Sequence, residues 1–427
     1  MVSNGMMTMA MGTGLHFLVD GLCACCLFLL ADGEGMPQLL GAFMVYNVLA
    51  FLTQPFTGML ADSMGQPQLL LALSVALLSF GVASASLFRL DALFLTAVLL
   101  GLGNSCFHVW GGRQVAVQTA NDIRALGIFV STGAFGLAVG MAWHSWPVLY
   151  AFLLAIVLLA IYALRMGVSL GSVREVSFVS DHLKPWMIWC AVMALMAVVM
   201  VRSLIGERFS AEMVKGGAVL LTVGTVAMLG KAAGGFLAKG IGIVWTIGLV
   251  AAGVLLASVF SFPVWGLLLV NLSMAVTLYL ANLVMPGREG LAFGLLAAAL
   301  MPGYLMAQLS GDGFGVIPAL MATLLPTVVI EWLVLWSLRE RRADVLWSSV
   351  VVNILTNVPL NLFVTYVSHS ILVIIVAEVI VVLIEALWYC YFLRRWRQAL
   401  VYSFLCNGIS VLAGLLAQLV IILFLTL

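Results

Sequence analysis

The feature that most limits what this chain can fold into is the recurrence, from one end to the other, of uninterrupted apolar runs about 20 residues long. Each run is long enough to carry a helix across the hydrocarbon core of a bilayer. Lipid offers no partner to a backbone N–H or C=O, so only helices and closed barrels cross it. Barrel strands alternate apolar and polar residues, and these runs do not. The expectation is an all-α polytopic membrane protein. Charge agrees: 8% of the residues are charged, against roughly 25% in soluble domains.

Reading the runs between polar breaks gives spans near 9–30, 38–60, 68–88, 92–112, 124–143 and 147–166, then 185–205, 214–236, 243–262, 264–285, 290–310 and 314–338, and finally 345–367, 370–393 and 398–425. The grouping is six, six and three. It predicts a first half over 1–166, a cytoplasmic linker over 167–184, a second half over 185–338 and a three-helix appendage over 339–427. With the N-terminus in the cytoplasm and every span crossing once, Arg113, Arg124, Arg165, Arg174, Lys184, Lys231, Lys239, Arg288, Arg339, Arg341, Arg342, Arg394, Arg395 and Arg397 fall inside. Arg89, Arg202, Arg208 and Lys215 fall outside or in the outer half of a span. That is a strong positive-inside bias, and it puts the C-terminus outside, as an odd number of spans requires. The first residues carry no basic region and no convincing cleavage site, so the first span is expected to stay in the mature protein.

Two short echoes suggest duplication. G-M-L-A-D-S-M-G at 58–65 closes the second span and G-F-L-A-K-G-I-G at 235–242 closes the eighth, while G-R-Q at 112–114 and G-R-E at 287–289 close the fourth and tenth. The offsets are nearly equal, and six-plus-six parallel repeats are the arrangement of one large transporter class.

Other chemistries find no support. The seven cysteines lie in or beside apolar runs without metal-type spacing, so Cys23, Cys25 and Cys26 read as small packing residues. No metal or cofactor is expected. There is no basic patch, no phosphate loop and no nucleotide-binding pattern, which argues against nucleic acid as a partner and against ATP-driven pumping.

The segment Gly58 to Pro67 resembles the loop between the second and third helices of the major facilitator superfamily, G-x-L-a-D-r-x-G-r-k. Gly58, Leu60, Ala61, Asp62 and Gly65 match, while Ser63, Gln66 and Pro67 occupy its basic positions. A narrower likeness is to the fosmidomycin-resistance type of exporter, which carries H-x-x-x-D in its first helix and G-x-G-x-x-x-F-H-P-x-G in its fourth. Here stand His16 and Asp20, then G-L-G-N-S-C-F-H-V-W-G over 101–111, with Val109 at the proline position. The superfamily likeness covers about residues 8–338, and the last ninety or so have no counterpart in its twelve-helix pattern. It implies two six-helix halves rocking about a central cavity lined by the first and fourth helices. The narrower likeness favours export. Gly58, Asp62, Gly65 and Arg113, with Gly235, Lys239 and Arg288 in the second copy, become candidates for conformational gating, although the two arginines also serve as simple positive-inside anchors.

Ionisable side chains inside a membrane are costly and tend to face a cavity or a partner. His16 and Asp20 stand one turn apart on one helix face, as do Asn104 and His108. The first and fourth helices run in opposite directions, so His16 and His108 fall at similar depths, roughly 8–10 Å above the cytoplasmic ends, and Asp20 and Asn104 fall near the midplane. They form the expected polar cluster, with Asp20 as the protonation site; an interhelical hydrogen-bonded clamp is the alternative reading. Arg202, placed near the outer end of the seventh span, has three possible partners: an anionic substrate group, Glu207 or Asp32. Asn271, Tyr279 and Asn282 on the tenth span are neutral cavity candidates or packing residues. Gly101 with Gly103 and Gly230 with Gly234 permit close helix approach, and Pro286-Gly287 and Pro302-Gly303 permit bending.

The last three spans have their own pattern. Asn353, Asn357 and Asn361 form a stripe at intervals of four, Glu378 and Glu385 share a face of the next span, and Ser403, Asn407 and Ser410 mark the last, with Glu331 at similar depth on the twelfth. These stripes should face one another, either as a self-satisfied bundle or as a second ion pathway or docking face for a protein partner. The chain as a whole reads as a proton-coupled secondary transporter of a small polar organic solute or drug-like compound, in contact with membrane lipid, in a bacterial cytoplasmic membrane. A lipid flippase on the same fold and a non-transporting sensor or scaffold are the rivals. An enzyme is not expected.

Overall fold

The computed structural model describes residues 4–31, 36–165, 183–309, 316–366 and 370–426. The expected linker, apart from residues 183–184, and the loop with Asp32 and Glu34 lie outside the described residues. Within them the regular structure is helical: α1 (Asn4–Ala31), α2 (Met36–Leu52), α3 (Gln54–Ser63), α4 (Gln68–Phe88), α5 (Leu93–Gln118), α6 (Ile123–Ala142), α7 (Trp146–Arg165), α8 (Pro185–Lys215), α9 (Leu220–Ile241), α10 (Ile243–Val259), α11 (Pro263–Val284), α12 (Glu289–Ala298), α13 (Leu300–Leu309), α14 (Val316–Ser337), α15 (Ala343–Tyr366), α16 (Ile371–Leu393) and α17 (Trp396–Thr426). Ten helical segments among the described residues are long and apolar enough to cross a membrane. The chain is an integral membrane protein. Its outward side chains suit lipid: Leu87, Val244 and Ile371 are each three-quarters exposed or more.

Two predicted spans are broken helices. The second divides into α2 and α3 at Thr53, just before Gln54-Pro55, where the proline has no N–H to give the preceding turn. The eleventh divides into α12 and α13 at Ala299, three residues before Pro302. The seventh span is longer than its apolar run. Glu207, Arg208, Glu212 and Lys215 end the run at about residue 205, but they are good helix formers. α8 therefore continues to Lys215 and stops at Gly217, whose φ of +90° closes the turn. This lengthening moves Arg202 from the expected outer end to the interior of its helix.

The chain divides into two compact units. The first comprises residues 1–182 and 194–307, the second residues 183–193 and 308–427. The expected segments follow the sequence repeat, whereas the units follow packing, so α14, counted from sequence as a twelfth span, groups with the last three helices. In the first unit α1 packs on α5, α6 and α7, α3 on α12, and α6 along α9. In the second, α14 and α16 each pack on both α15 and α17. Trp189, at the start of α8, joins this unit against Trp388 and Phe392 and donates to Asp344 Oδ1 at 3.4 Å.

Candidate functional site

Two pairs at i, i+4 on neighbouring helices build the centre of the first unit. His16 and Asp20 come from α1, Asn104 and His108 from α5. Asn104 Nδ2 donates to Asp20 Oδ1 at 2.9 Å. His16 Nε2 stands 3.3 Å from Asp20 Oδ2, and His108 Nε2 stands 3.4 Å from Oδ1. The two imidazoles meet edge to face, 4.6 Å between centroids. The four residues expected to meet are thus in one cluster.

The remaining ring nitrogens decide where protons belong. His16 Nδ1 lies 2.7 Å from the Phe129 carbonyl and His108 Nδ1 lies 3.0 Å from the Asn104 carbonyl. A carbonyl only accepts, so both Nδ1 atoms carry hydrogen and donate. Each Nε2 is then left facing a carboxylate oxygen. A bare nitrogen opposite a bare oxygen repels, so each contact needs a proton between its atoms. Two protons shared over Asp20 and the two imidazoles fill both contacts, and one proton leaves a contact bare. The cluster therefore has places for two protons between its three groups. Gly133 on α6 makes room for it, because a Cβ there would collide with Asp20 Oδ2 and His16 Nε2.

The cluster opens on a cavity of about 180 Å³. Arg202 and Lys231 line it as well, from α8 and α9, beside Thr277, Phe293 and Leu296. Arg202 is 7% exposed, and its one hydrogen bond among the described residues goes from Nη1 to Thr277 Oγ1 at 3.5 Å. The expected pair with Glu207 does not form among the described residues, and Asp32 lies outside them. Lys231, counted from sequence among the cytoplasmic charges, sits midway along α9. A lone lysine inside a run of Gly and Ala was the available signal, since such a residue usually faces a cavity. The donor atoms of His16, Asp20 and His108 lie within 4.8 Å of one another, close enough to share a metal ion. Arg202 and Lys231 set the potential of the same cavity against a dication.

The neutral candidates on α11 lie off the cavity, which Met274, Thr277 and Leu278 line instead. Asn271 donates to the Leu267 carbonyl of its own helix at 2.8 Å, and Asn282 donates to Asn121 Oδ1 at 2.9 Å. Asn121, in turn, donates to the Tyr279 carbonyl at 3.2 Å. Asn271 and Asn282 share the cavity-facing stripe of α11 but sit about a turn beyond its two ends, while Tyr279 packs near Ile123 and Ala275.

At the end of the bundle where α3 and α5 stop and α12 starts, the gating candidates meet. Asp62 accepts from the backbone of Gly290 at 3.0 Å and Leu291 at 2.8 Å, and from Arg113 Nε at 2.9 Å. It thus caps the N-terminus of α12, where free N–H groups favour a carboxylate. Gly58 lies so close to the Gly290 carbonyl that a Cβ would collide with it. The second copy repeats this contact with the charges exchanged. Gly235 lies equally close to the Ile123 carbonyl at the start of α6. That helix supplies its own cap, Asp122, which accepts from the Arg124 backbone at 2.9 Å. The Arg124 side chain, and beyond it Lys239, holds the Asp122 carboxyl below the usual carboxylate range. Lysine stands at 239 where aspartate stands at 62 because this helix end already has its anion. Gly65 has no neighbour within 4 Å of a Cβ position, and Arg288 occupies the N-cap position of α12.

In the second unit the polar stripes do face one another. Asn353 Nδ2 donates to Glu331 Oε2 at 2.8 Å, Asn357 Nδ2 to Asn353 Oδ1 at 2.7 Å, and Asn361 Nδ2 to the Asn357 carbonyl at 2.8 Å. Glu385 accepts from Thr356 at 2.9 Å, from Ser403 at 3.5 Å and from Asn407. Glu378 is only partly buried, as is Ser410. At the α14–α15 joint Glu340 gathers the Arg341 and Arg342 backbone N–H groups and the Arg342 guanidinium. Burial pushes its carboxyl up, but these donors more than reverse that and hold it below the usual carboxylate range.

No protein-family model matches the chain, and no curated protein matches it. Among solved structures it is similar to the E. coli fucose:proton symporter FucP at 14% identity and a TM-score of 0.47, over 82% of this chain and 98% of that one. It is also similar to a bacterial homologue of the iron transporter ferroportin in an outward-facing state, at 14% identity and a TM-score of 0.42, over 95% of this chain and 98% of that one. Likenesses this distant decide neither the family nor the function.

Proposed function

We propose that this chain is a proton-coupled secondary transporter of the major facilitator kind, moving a small polar organic solute by alternating access. One observation carries the reading: a three-group proton store, His16, Asp20 and His108, faces a membrane-embedded cavity large enough for a solute. Filling or emptying that store changes the charge the cavity presents, and this is what couples a proton to a cargo. The paired contacts Gly58 with α12 and Gly235 with α6 support a duplication between the halves 1–166 and 185–338, with residues 339–427 as an appendage on which the twelfth span, α14, packs. With the N-terminus in the cytoplasm and the C-terminus outside, the Asp62 latch shuts the cytoplasmic side. The protein then rests with its cavity toward the exterior of a bacterial cytoplasmic membrane. Export as the direction rests on the fosmidomycin-type motifs alone.

The test is flux of labelled compounds into proteoliposomes under an imposed pH gradient, with a panel of organic acids, sugars and amines. Wild type is expected to show gradient-dependent flux of at least one of them, and Asp20→Asn to lose it while eluting as folded protein. Full transport and unchanged pH dependence in Asp20→Asn would sink the proton role.

A further inference from the structure

The cavity holds more positive charge than the protein compensates. Arg202 is 7% exposed, and its one hydrogen bond among the described residues is at the outer limit of length. Lys231 makes no hydrogen bond or ion pair among the described residues, although it lines the same space. The carboxylate available there, Asp20, is already engaged by Asn104 and the two imidazoles. A buried cation without a partner is among the most costly arrangements a membrane protein can hold, and such groups are usually kept for a ligand. The buried Arg202, with one long hydrogen bond to Thr277, and the half-buried Lys231, unpaired among the described residues, face one cavity and together point to the sign of that ligand.

We infer that the cargo is a small organic anion, a carboxylate on an apolar body, whose oxygens are taken by the Arg202 guanidinium and the Lys231 ammonium. This rests on the transporter reading above and names its substrate class. The planar guanidinium fork matches the two oxygens of a carboxylate, and the ammonium adds a point charge. Phe51, Val130, Phe293 and Leu296 give the wall an apolar part that suits a hydrocarbon body, beside the polar Tyr46, Asn47 and Gln54. Size follows from volume. A cavity of roughly 150 Å³ takes up benzene, so the 180 Å³ here suits an acid of about that bulk. The anion and the proton store then act together: with His16 and His108 both charged, the cavity attracts an anion most strongly, and loss of a proton to the other side weakens its hold, so proton and anion travel the same way, against the export that the fosmidomycin-type motifs favour.

The experiment uses the purified full-length protein and four probes of one shape: benzoate, benzamide, benzylamine and phenylphosphonate, at constant ionic strength. Thermal stabilisation is read for wild type, Arg202→Gln, Lys231→Gln and Arg202→Lys, each first checked for monodisperse elution. Benzoate is expected to stabilise wild type while benzamide and benzylamine do not. Arg202→Gln and Lys231→Gln should each weaken benzoate at least tenfold, and Arg202→Lys should recover part of the loss. Stronger stabilisation by phenylphosphonate than by benzoate overturns the carboxylate in favour of a phosphonate-type anion. Equal stabilisation by benzamide, or benzoate binding unchanged in both glutamine variants, overturns the anion site itself. The two proposals separate in proteoliposomes. Gradient-driven flux of benzylamine or a neutral solute, with no anion carried, defeats this inference and leaves the transporter standing. Benzoate binding without flux of any compound supports the anion site and defeats the transporter.

Discussion

Both units bury carboxylates, and they solvate them in opposite ways. Glu385, fully buried in the second unit, has both oxygens met by neutral donors on α15 and α17, Thr356, Ser403 and Asn407. Asp20 in the first unit has one neutral donor, Asn104, and two imidazoles whose contacts each require a proton. Neutral donors hold an acid in place whatever its charge, and that is how helices are glued. Titratable donors make the arrangement depend on proton supply, and that is how a site does work. Polar residues of similar burial therefore differ in kind, and the difference lies in what the partner is, not in how deep the carboxylate sits.

The comparison breaks most sharply under truncation. Glu385→Ala should strand the donors of Thr356 and Asn407 and cost the second unit about 2–3 kcal/mol, seen as a large drop in thermal midpoint or loss of folded yield. Asp20→Asn should cost about 1 kcal/mol or less and remove gradient-driven transport instead. Reversal of that pattern would make the first cluster the glue and the second the working site.

Two glycines sharpen it next. Gly133→Ala drives a methyl into Asp20 and His16, an overpacking expected to cost about 1–3 kcal/mol and to abolish transport. Gly408, in α17, has nothing within 4 Å of a Cβ position, so Gly408→Ala should stabilise by about 0.5–1 kcal/mol. Thermal unfolding of the two variants side by side measures the contrast.

Asp62→Asn removes a charged acceptor from two backbone N–H groups and Arg113. The loss, about 1.5 kcal/mol, corresponds to roughly a tenfold shift toward the state open at the latched end. Paired spin-label distances across that end would record it, and an unchanged distribution would rule the latch out as a gate.

The smallest effect concerns pH. Glu340 is held below the ordinary carboxylate range, so it contributes stability above that range, and the contribution is lost as pH falls through its folded-state value. Wild type should therefore lose more thermal midpoint between pH 7 and pH 4 than Glu340→Gln does. Equal losses would remove this joint from the account.

Much of this was legible beforehand because membranes simplify sequences. Apolar runs mark the helices, and an i, i+4 pair such as His16 and Asp20 has one possible face. What escaped was set by tertiary placement. Lys231 looked like a cytoplasmic anchor because a run reading to 236 put it near an end, whereas α9 runs to Ile241 and leaves it central. Arg202 moved inward because charged residues that end an apolar run need not end a helix. Asn271 and Asn282 lie on the expected stripe but beyond the reach of the cavity, a matter of a single turn that periodicity does not resolve. The exchange of Asp62 for Lys239 has no reason in the sequence echo alone; Asp122, the cap of α6, supplies it.

That exchange has a kinetic consequence. A carboxylate reaching across to a foreign helix must be pulled away from two N–H groups each time that end opens, whereas α6 keeps its own cap however its neighbours move. Parting the second copy would instead break the neutral Asn282–Asn121 and Asn121–Tyr279 hydrogen bonds, so the two duplicated contacts resist separation by different means. The empty protein would accumulate in a single waiting posture, and its turnover would be governed by how fast it escapes that posture.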